Sequence, residues 1–273
     1  MTYATGTEHL LCDIEDGVAT FTLNRPEKKN ALGSELTPAL RAGLHDLELR
    51  PDVRCIMITG AGNAFCSGGD VSGMGGGTAG SDEPKPTQAD RVRNLQHGQN
   101  TLTLRMHQLE KPLVAALPGA AAGAGLSIAL ACDLRVAARS AFITTAFRNI
   151  GLSGDYGSSW NLVQLIGIAK AKELMFLSDR ITAEQAADLG LVNRVYDDDT
   201  FRADAFEFAR QLAHGPTSAL RFMKKNIHVA ANASLATTLD LEAEHMIRSF
   251  GTQDAKEAIK AFQEKRKPEF KGS

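Results

Sequence analysis

The sequence predicts an α/β fold over residues 1–200, followed by a helical region over residues 201–273. Short apolar segments alternate with helical patterns in the first region, which is typical of a layered α/β core. Only helical patterns follow Thr200. The chain has 273 residues, 43% of them hydrophobic, and this is enough to bury a substantial core.

The strands are predicted from short apolar or alternating runs that are bounded by turn residues. Residues 9–24 form a predicted β-hairpin, because Glu15, Asp16 and Gly17 interrupt the alternating run. The remaining strands are predicted over residues 54–59, 112–117, 133–138 and 191–196.

The helices are predicted from apolar residues at helical spacing. The first helix carries leucines on one face from Leu36 to Leu47, and Ser34 is its expected N-cap. Thr182 and Gln185 form a predicted capping box for a short helix that stops at Gly190. The other helices are predicted over residues 91–110, within the small-residue segment 118–133, and over 157–165, 169–177, 201–213, 217–230, 234–249 and 252–263.

Composition and charge exclude several classes of protein. The formal net charge of -2 gives no electrostatic reason to expect nucleic acid or an anionic membrane as a partner. No stretch reaches the roughly 18 apolar residues that a membrane span needs, and the N-terminus has no basic-then-apolar signal layout. The four cysteines lack the spacing of a zinc site. We therefore expect a cytoplasmic protein with reduced thiols and no structural metal.

The most informative segment runs from Pro118 to Asp133 and has almost no polar side chain, with alanine or glycine at nine of its sixteen positions. A turn without large side chains lets a ligand approach main-chain N–H groups at the start of a helix, and these groups favour a developing negative charge. The alternative is a tightly packed Ala/Gly helix that binds nothing. A second small-residue turn, Gly68-Gly69-Asp70, precedes residues 72–90, which are predicted to be a lid or a disordered insert.

Three segments together resemble the enoyl-CoA hydratase/isomerase (crotonase) superfamily. They are Ala64–Val71, Lys111–Asp133 and Ile150–Gly157, the last trailing into Gly190-Leu191-Val192. The resemblance implies a spiral of repeated ββα units and C-terminal helices that build a homotrimer or a dimer of trimers. It also implies an acyl-CoA thioester as substrate, with no metal or redox cofactor.

The resemblance assigns an oxyanion-binding role to two main-chain N–H groups, those of Gly69 and Ala124. Removal of a proton next to a thioester leaves an enolate, and two aimed donors stabilise its oxygen. Further residues are expected to contact the substrate, and these are Lys28, Ala64, Gly68, Asp70, Val71, Gly123, Phe147 and Tyr156.

The sequence departs from the family pattern where hydratases carry two glutamates. Ser127 and Phe147 occupy those positions, so the mechanism with two glutamates does not carry over. Asp155 is the replacement candidate for acid/base catalysis, and the alternative is that it caps the helix beginning near Gly157. A single carboxylate favours double-bond isomerisation over hydration. An aryl-CoA dehalogenase-like enzyme with a nucleophilic Asp155, or an inactive CoA-binding member of the family, remains an alternative.

Two basic segments are candidates for contact with the coenzyme. In the family the region of Lys28 and Lys29 runs beside the nucleotide, and a lysine there can meet a phosphate. The tail over residues 265–271 resembles the segment that closes over the adenine. A solvated lysine pair and a frayed tail are the alternatives.

Overall fold

Two sheets form the framework of this chain, which a computed structural model describes over residues 1–70 and 86–273. Each sheet takes strands from several parts of the sequence. The strands are β1 (Leu10–Glu15), β2 (Val18–Leu23), β3 (Cys55–Gly60), β4 (Ala64–Cys66), β5 (Leu113–Leu117), β6 (Ala120–Ala122), β7 (Leu134–Ala138), β8 (Phe142–Thr144), β9 (Ile181–Thr182) and β10 (Arg194–Tyr196). In the part described, β1, β2, β3, β5, β7 and β10 form a six-stranded sheet in that order, and β4, β6, β8 and β9 form a four-stranded sheet.

The helices separate the strand pairs and then continue alone after β10. They are α1 (Leu36–Leu49), α2 (Gln88–Gln99), α3 (Arg105–Gln108), α4 (Ala124–Leu130), α5 (Ser158–Leu177), α6 (Ala183–Asp188), α7 (Phe201–Ala213), α8 (Thr217–Ala230), α9 (Leu235–Phe250) and α10 (Gln253–Gln263). A π-helical turn, Asn100–Leu104, joins α2 to α3, and a 3-10 turn, Phe147–Ile150, precedes α5.

A ββα unit recurs along the chain, which confirms the predicted architecture. The pairs β3–β4, β5–β6 and β7–β8 each send their first strand to the larger sheet and their second to the smaller one. Each pair is followed by helix. Neighbouring units pair in parallel, as Met57 with Val114 and Ala121 with Ile143 show. The hairpin of β1 and β2, predicted over residues 9–24, is antiparallel.

The core lies between the larger sheet and the helices that cover it. All residues of β3 and β5 are buried, because both faces of these parallel strands are covered. The leucine face of α1 is also buried, and each such side chain contributes roughly 1.5–3 kcal/mol of transfer free energy. The predicted capping box of Thr182 and Gln185 is present, and the predicted break between residues 165 and 169 is a kink at Gly167.

The helical pattern predicted over residues 91–110 is confirmed as far as Gln108: α2 begins at Gln88, after a capping box at Thr87, and the π turn joins it to α3. Two predictions of local structure are wrong. Ser34 does not cap α1, because Glu35 holds the N-cap position and, among the described residues, no side chain caps the helix. The small-residue segment first forms strand β6, because its backbone pairs with β4 and β8, and becomes helical only at Ala124.

The region after residue 200 is helical, as predicted. Helix α7 packs against β3 of the larger sheet, and α8 packs along α9. Exposed apolar side chains line α9, namely Leu235, Leu239, Met246, Ile247 and Phe250. The division of the chain at residue 200 and its assembly as a trimer or hexamer stay predictions. Among the described residues, no helix combines the length and apolar character that a bilayer span requires.

Candidate active site

Two glycine turns lie side by side where β4 and β6 end. Cys66 pairs with Ala121, so the chain that follows each strand emerges at the same edge of the smaller sheet. A Cβ atom on Gly68 would lie 3.1 Å from the carbonyl oxygen of Ala122 and 3.5 Å from the nitrogen of Ala124. Gly68 and Gly123 have φ angles of +103° and +53°, which favour glycine. The lack of side chains therefore permits the close approach of the two turns.

The N–H groups of Gly69 and Ala124 are the candidate oxyanion donors of these two turns. Leu32 bridges to this turn by donating to the Gly68 carbonyl at 2.8 Å and accepting from the Asp70 N–H at 2.9 Å, so the Gly69 N–H takes no part in that bridge. Ala124 is the first residue of α4, where an N–H has no intrahelical acceptor. Both residues line one cavity of about 400 Å³, which we call the catalytic cavity.

Asp155 lines the same cavity and lies in a turn of glycines before α5. Its carboxyl oxygen Oδ1 is buried and, within residues 1–70 and 86–273, has no hydrogen-bond partner. Burial raises the pKa of this carboxyl above its usual range. The interpretation of Asp155 as a helix cap is wrong, because the N-cap of α5 is Gly157 and no side chain caps it. A half-buried, unpartnered carboxyl is costly to keep and is typical of functional sites.

Tyr156 follows Asp155 and also lines the catalytic cavity. Its N–H donates to Oε1 of Gln99 at 2.8 Å. Burial raises the pKa of the Tyr156 hydroxyl, the Arg41 guanidinium opposes this rise, and the Asp155 carboxylate adds to it. Arg41 lies on α1 and lines the cavity as well. Sequence reasoning missed Arg41 and Gln99, because neither stands in a motif and only the tertiary fold brings them to Tyr156.

Ser127 and Phe147, at the positions where hydratases carry glutamates, are both buried. The Ser127 hydroxyl is fully buried and donates to the Gly123 carbonyl at 3.2 Å, so it supports the turn before α4. Phe147 is buried in the 3-10 turn, behind Gly123, where a Cβ atom on Gly123 would lie 3.9 Å from its ring. Neither side chain offers a carboxylate to the cavity.

A cluster of charges lies at the edge of the catalytic cavity, around Asp70. Its carboxylate accepts from Nη2 of Arg25 at 2.9 Å and from Nζ of Lys28 at 3.2 Å. Arg25 is buried and was also missed by sequence reasoning, because a single arginine in a turn carries no spacing signal. Ala64 is buried in β4, where its carbonyl accepts from Asn30 at 2.8 Å. Val71 and residues 72–85 of the predicted lid lie outside the described residues.

The basic tail is fastened to the protein, so the interpretation as a frayed terminus is wrong. The N–H groups of Lys271 and Gly272 donate to the buried carboxylate of Asp254 at 2.7 and 2.8 Å. Arg266 pairs with Glu257 on α10 at 2.5 Å. A role for this tail over the adenine stays a prediction. In the part of the chain that the structure describes, no group of three His, Cys, Asp or Glu side chains is placed to hold a metal ion.

Comparison with known proteins identifies the family. The family model described as enoyl-CoA hydratase/isomerase matches residues 13–273. A 1,2-epoxyphenylacetyl-CoA isomerase of Escherichia coli (strain K12) is 38% identical over 265 residues, which cover 97% of this chain and 99% of that protein. A probable enoyl-CoA hydratase of Rhodobacter capsulatus is 37% identical over 260 residues, covering 95% of this chain and 96% of that protein.

A solved structure gives the same result. The enoyl-CoA hydratase from Polaromonas sp. JS666 superposes with a TM-score of 0.85 at 34% sequence identity, covering 96% of this chain and 99% of that one. The family-model match runs through both glycine turns and the turn of Asp155. The chain therefore belongs to the enoyl-CoA hydratase/isomerase family, as an enzyme that acts on CoA thioesters.

Proposed function

We propose that this enzyme moves a double bond within an acyl-CoA thioester, with Asp155 as its acid/base. One observation carries the proposal: the residues of both candidate oxyanion donors line the same cavity as Asp155, whose Oδ1 has no hydrogen-bond partner among the described residues. The likeness to a 1,2-epoxyphenylacetyl-CoA isomerase supports an isomerase, because that protein is 38% identical over nearly its whole length.

The proposed reaction proceeds in two proton transfers. The Asp155 carboxylate takes a proton from the carbon next to the thioester, and the C–H electron pair delocalises onto the thioester oxygen as an enolate. The protonated Asp155 then returns the proton to a carbon two positions further along, and the double bond shifts by one place. Protons and electrons balance within the substrate, so no other reactant is needed.

The N–H groups of Gly69 and Ala124 are proposed to stabilise the enolate oxygen. Main-chain donors are held by the fold, so they need no reorganisation when negative charge develops. The loss of one such donor typically costs about 2.7–4 kcal/mol of transition-state stabilisation, or two to three orders of magnitude in rate. The glycines around them keep side chains away from the thioester.

The buried surroundings of Asp155 suit a general base. A carboxyl whose pKa is raised by burial binds a proton more strongly than an exposed one, and is therefore the better base for a carbon acid. Hydration would require a second group to hold water, and Ser127 and Phe147 supply no carboxylate for that purpose. The cationic side chain of Lys28, which is half-exposed beside Asp70, is proposed to meet a phosphate of the coenzyme.

The experiment compares wild type, Asp155→Asn and the matched control Asp199→Asn, which changes an exposed aspartate before α7. Each is assayed on a panel of enoyl-, dienoyl- and aryl-CoA thioesters, for bond migration, water addition and halide release. Exchange of the acyl hydrogens with deuterated water is followed by mass spectrometry. We expect migration and exchange to fall at least about a thousandfold in Asp155→Asn only.

Binding is measured in the same proteins by thermal shift with coenzyme A thioesters. Retained binding without exchange in Asp155→Asn supports the proposal. Water addition or halide release by the wild type, in the absence of bond migration, would favour a hydratase or a dehalogenase instead. Binding by the wild type without any exchange would identify an inactive, CoA-binding member of the family.

A further inference from the structure

A second cavity of about 430 Å³ lies next to the catalytic cavity. Its walls are the π turn, α3 and the first turns of α5. Among the lining residues are Gln99, Thr103, Leu104, His107, Trp160 and Asn161. Tyr156 lines this cavity and the catalytic cavity as well, so this residue stands at the boundary between them.

The backbone of Tyr156 is held in an unfavourable conformation. Its φ angle of +50° lies in the left-handed region, which is uncommon for a residue with a large side chain. Such a conformation persists only when its surroundings over-determine it, and it is often found at functional sites. The hydrogen bond from its N–H to Gln99 supplies one of these constraints.

The hydroxyl end of Tyr156 is held from the opposite side. A Cβ atom on Gly98 would lie 3.1 Å from Nη2 of Arg41 and 3.8 Å from the Tyr156 hydroxyl oxygen, so both groups pack over this glycine. Gly98 and Gln99 belong to the last turn of α2. The side chain of Tyr156 is therefore fixed between α1 and α2.

The segment that anchors Tyr156 also builds the second cavity. Gln99 stands at the end of α2 and is followed by the π-helical turn Asn100–Leu104. Single π turns inside helices are frequent at functional sites. This turn places Asn100, Thr103 and Leu104 along the second cavity. An irregular helical turn and a tyrosine in a strained conformation thus lie at the boundary between two adjoining cavities.

We propose that Tyr156 determines acyl-chain specificity by closing the catalytic cavity toward the second cavity. The native enzyme then takes compact acyl groups, short chains or a single ring, and rejects long linear chains. This inference rests on the proposed function of the catalytic cavity. Without the ring of Tyr156 the two cavities would merge, the available volume would about double, and long acyl chains would fit.

The test measures the affinity of saturated acyl-CoA thioesters from butanoyl to dodecanoyl by calorimetric titration. Saturated thioesters contain no double bond to move, so the result does not depend on turnover. Tyr156→Asn removes the ring, and asparagine tolerates a positive φ. Tyr156→Phe is the matched control, because it keeps the ring and removes only the hydroxyl.

In wild type and Tyr156→Phe, we expect affinity to stop rising beyond the short chains. In Tyr156→Asn, dodecanoyl-CoA should gain at least tenfold relative to butanoyl-CoA, since each newly buried methylene contributes roughly a factor of four. Leu104→Trp in the same variant fills the second cavity and should abolish the gain. A gain that survives Leu104→Trp, or an unchanged profile in folded Tyr156→Asn, overturns the proposal.

A second variant tests the proposal should Tyr156→Asn not fold. Leu104→Trp in the native background leaves the profile unchanged if long chains never enter the second cavity. A selective loss of long-chain affinity in that variant contradicts the proposal, because the native enzyme would then already use this space. Absence of butanoyl-CoA binding in the wild type would count against the proposed function. Normal butanoyl-CoA binding with the wrong chain-length profile would count against the role of Tyr156 alone.

Discussion

Replacing Ala124 with proline removes one N–H group from the catalytic cavity and keeps the helix that carries it. Ala124 is the first residue of α4, and proline is well accepted there because its fixed φ suits the first helical turn. The N–H that is lost has no intrahelical acceptor, so no helical hydrogen bond is broken. The substitution therefore separates the chemistry of this amide from the stability of the fold.

The expected loss follows from the role given to this amide. One oxyanion donor is worth about 2.7–4 kcal/mol, and each 1.36 kcal/mol of barrier is tenfold in rate. We expect kcat/KM for double-bond migration to fall roughly 100- to 1000-fold, measured by the change in thioester absorbance. The free energy of unfolding, measured in urea, should change by less than about 1 kcal/mol.

Two controls separate the effect at Ala124 from that of a proline at any helix start and from that of a changed side chain. Gln253→Pro makes the same change at the first residue of α10, after a backbone in the extended region, and should leave activity unchanged. Ala124→Gly keeps the N–H and should retain activity within several-fold. A kcat/KM of Ala124→Pro within threefold of wild type, or an equal loss in Ala124→Gly, would refute the assignment.

Three further predictions concern Asp155 and the core. Because burial raises the pKa of Asp155 and its carboxylate is the active form, kcat/KM should decline toward acidic pH with a midpoint above the ordinary aspartate pKa of about 3.9. A midpoint at or below that pH in the pH–rate profile would contradict the raised pKa. A carboxyl whose pKa is raised in the folded state destabilises the protein increasingly as the pH rises from its unfolded pKa of about 3.9 through the folded pKa, so Asp155→Asn should raise the free energy of unfolding at pH 7. Urea titrations should show this difference vanishing below about pH 4. Leu40→Ala, at a fully buried position of α1, should lower the free energy of unfolding by about 2–5 kcal/mol, whereas Leu49→Ala, 72% exposed, should change it by less than about 0.5 kcal/mol in the same assay.

The longer elements of the fold were predictable because their side chains repeat with a clear period. The leucine face of α1 and the four helices after residue 200 are examples, and each is long enough for the pattern to accumulate. Strands β4, β6, β8 and β9 were not predicted, because each has only two or three residues and none stands in a longer apolar run of the kind that marked β10. Their pairing depends on neighbours that are distant in the sequence, and a run as short as Ala120–Ala122 carries no period.

Within the site, only the residues that belong to sequence motifs could be predicted. The glycine turns and Asp155 stand at spacings that the family resemblance supplies, and the fold brings them to one cavity. The unpartnered state of the Asp155 carboxyl could not be predicted, because it depends on which groups the fold places around it. Arg41 and Gln99 look like ordinary polar positions of amphipathic helices. Only long-range packing turns them toward Tyr156.

The most direct test of this account is a crystal structure with a non-reactive acyl-CoA thioester bound. In that complex we expect the thioester oxygen about 2.7–3.1 Å from the nitrogens of both Gly69 and Ala124, which is the distance that such donors require. We also expect an Asp155 carboxyl oxygen against the carbon next to the thioester. A thioester oxygen bound elsewhere, or an Asp155 side chain turned to solvent in that complex, would contradict this mechanism.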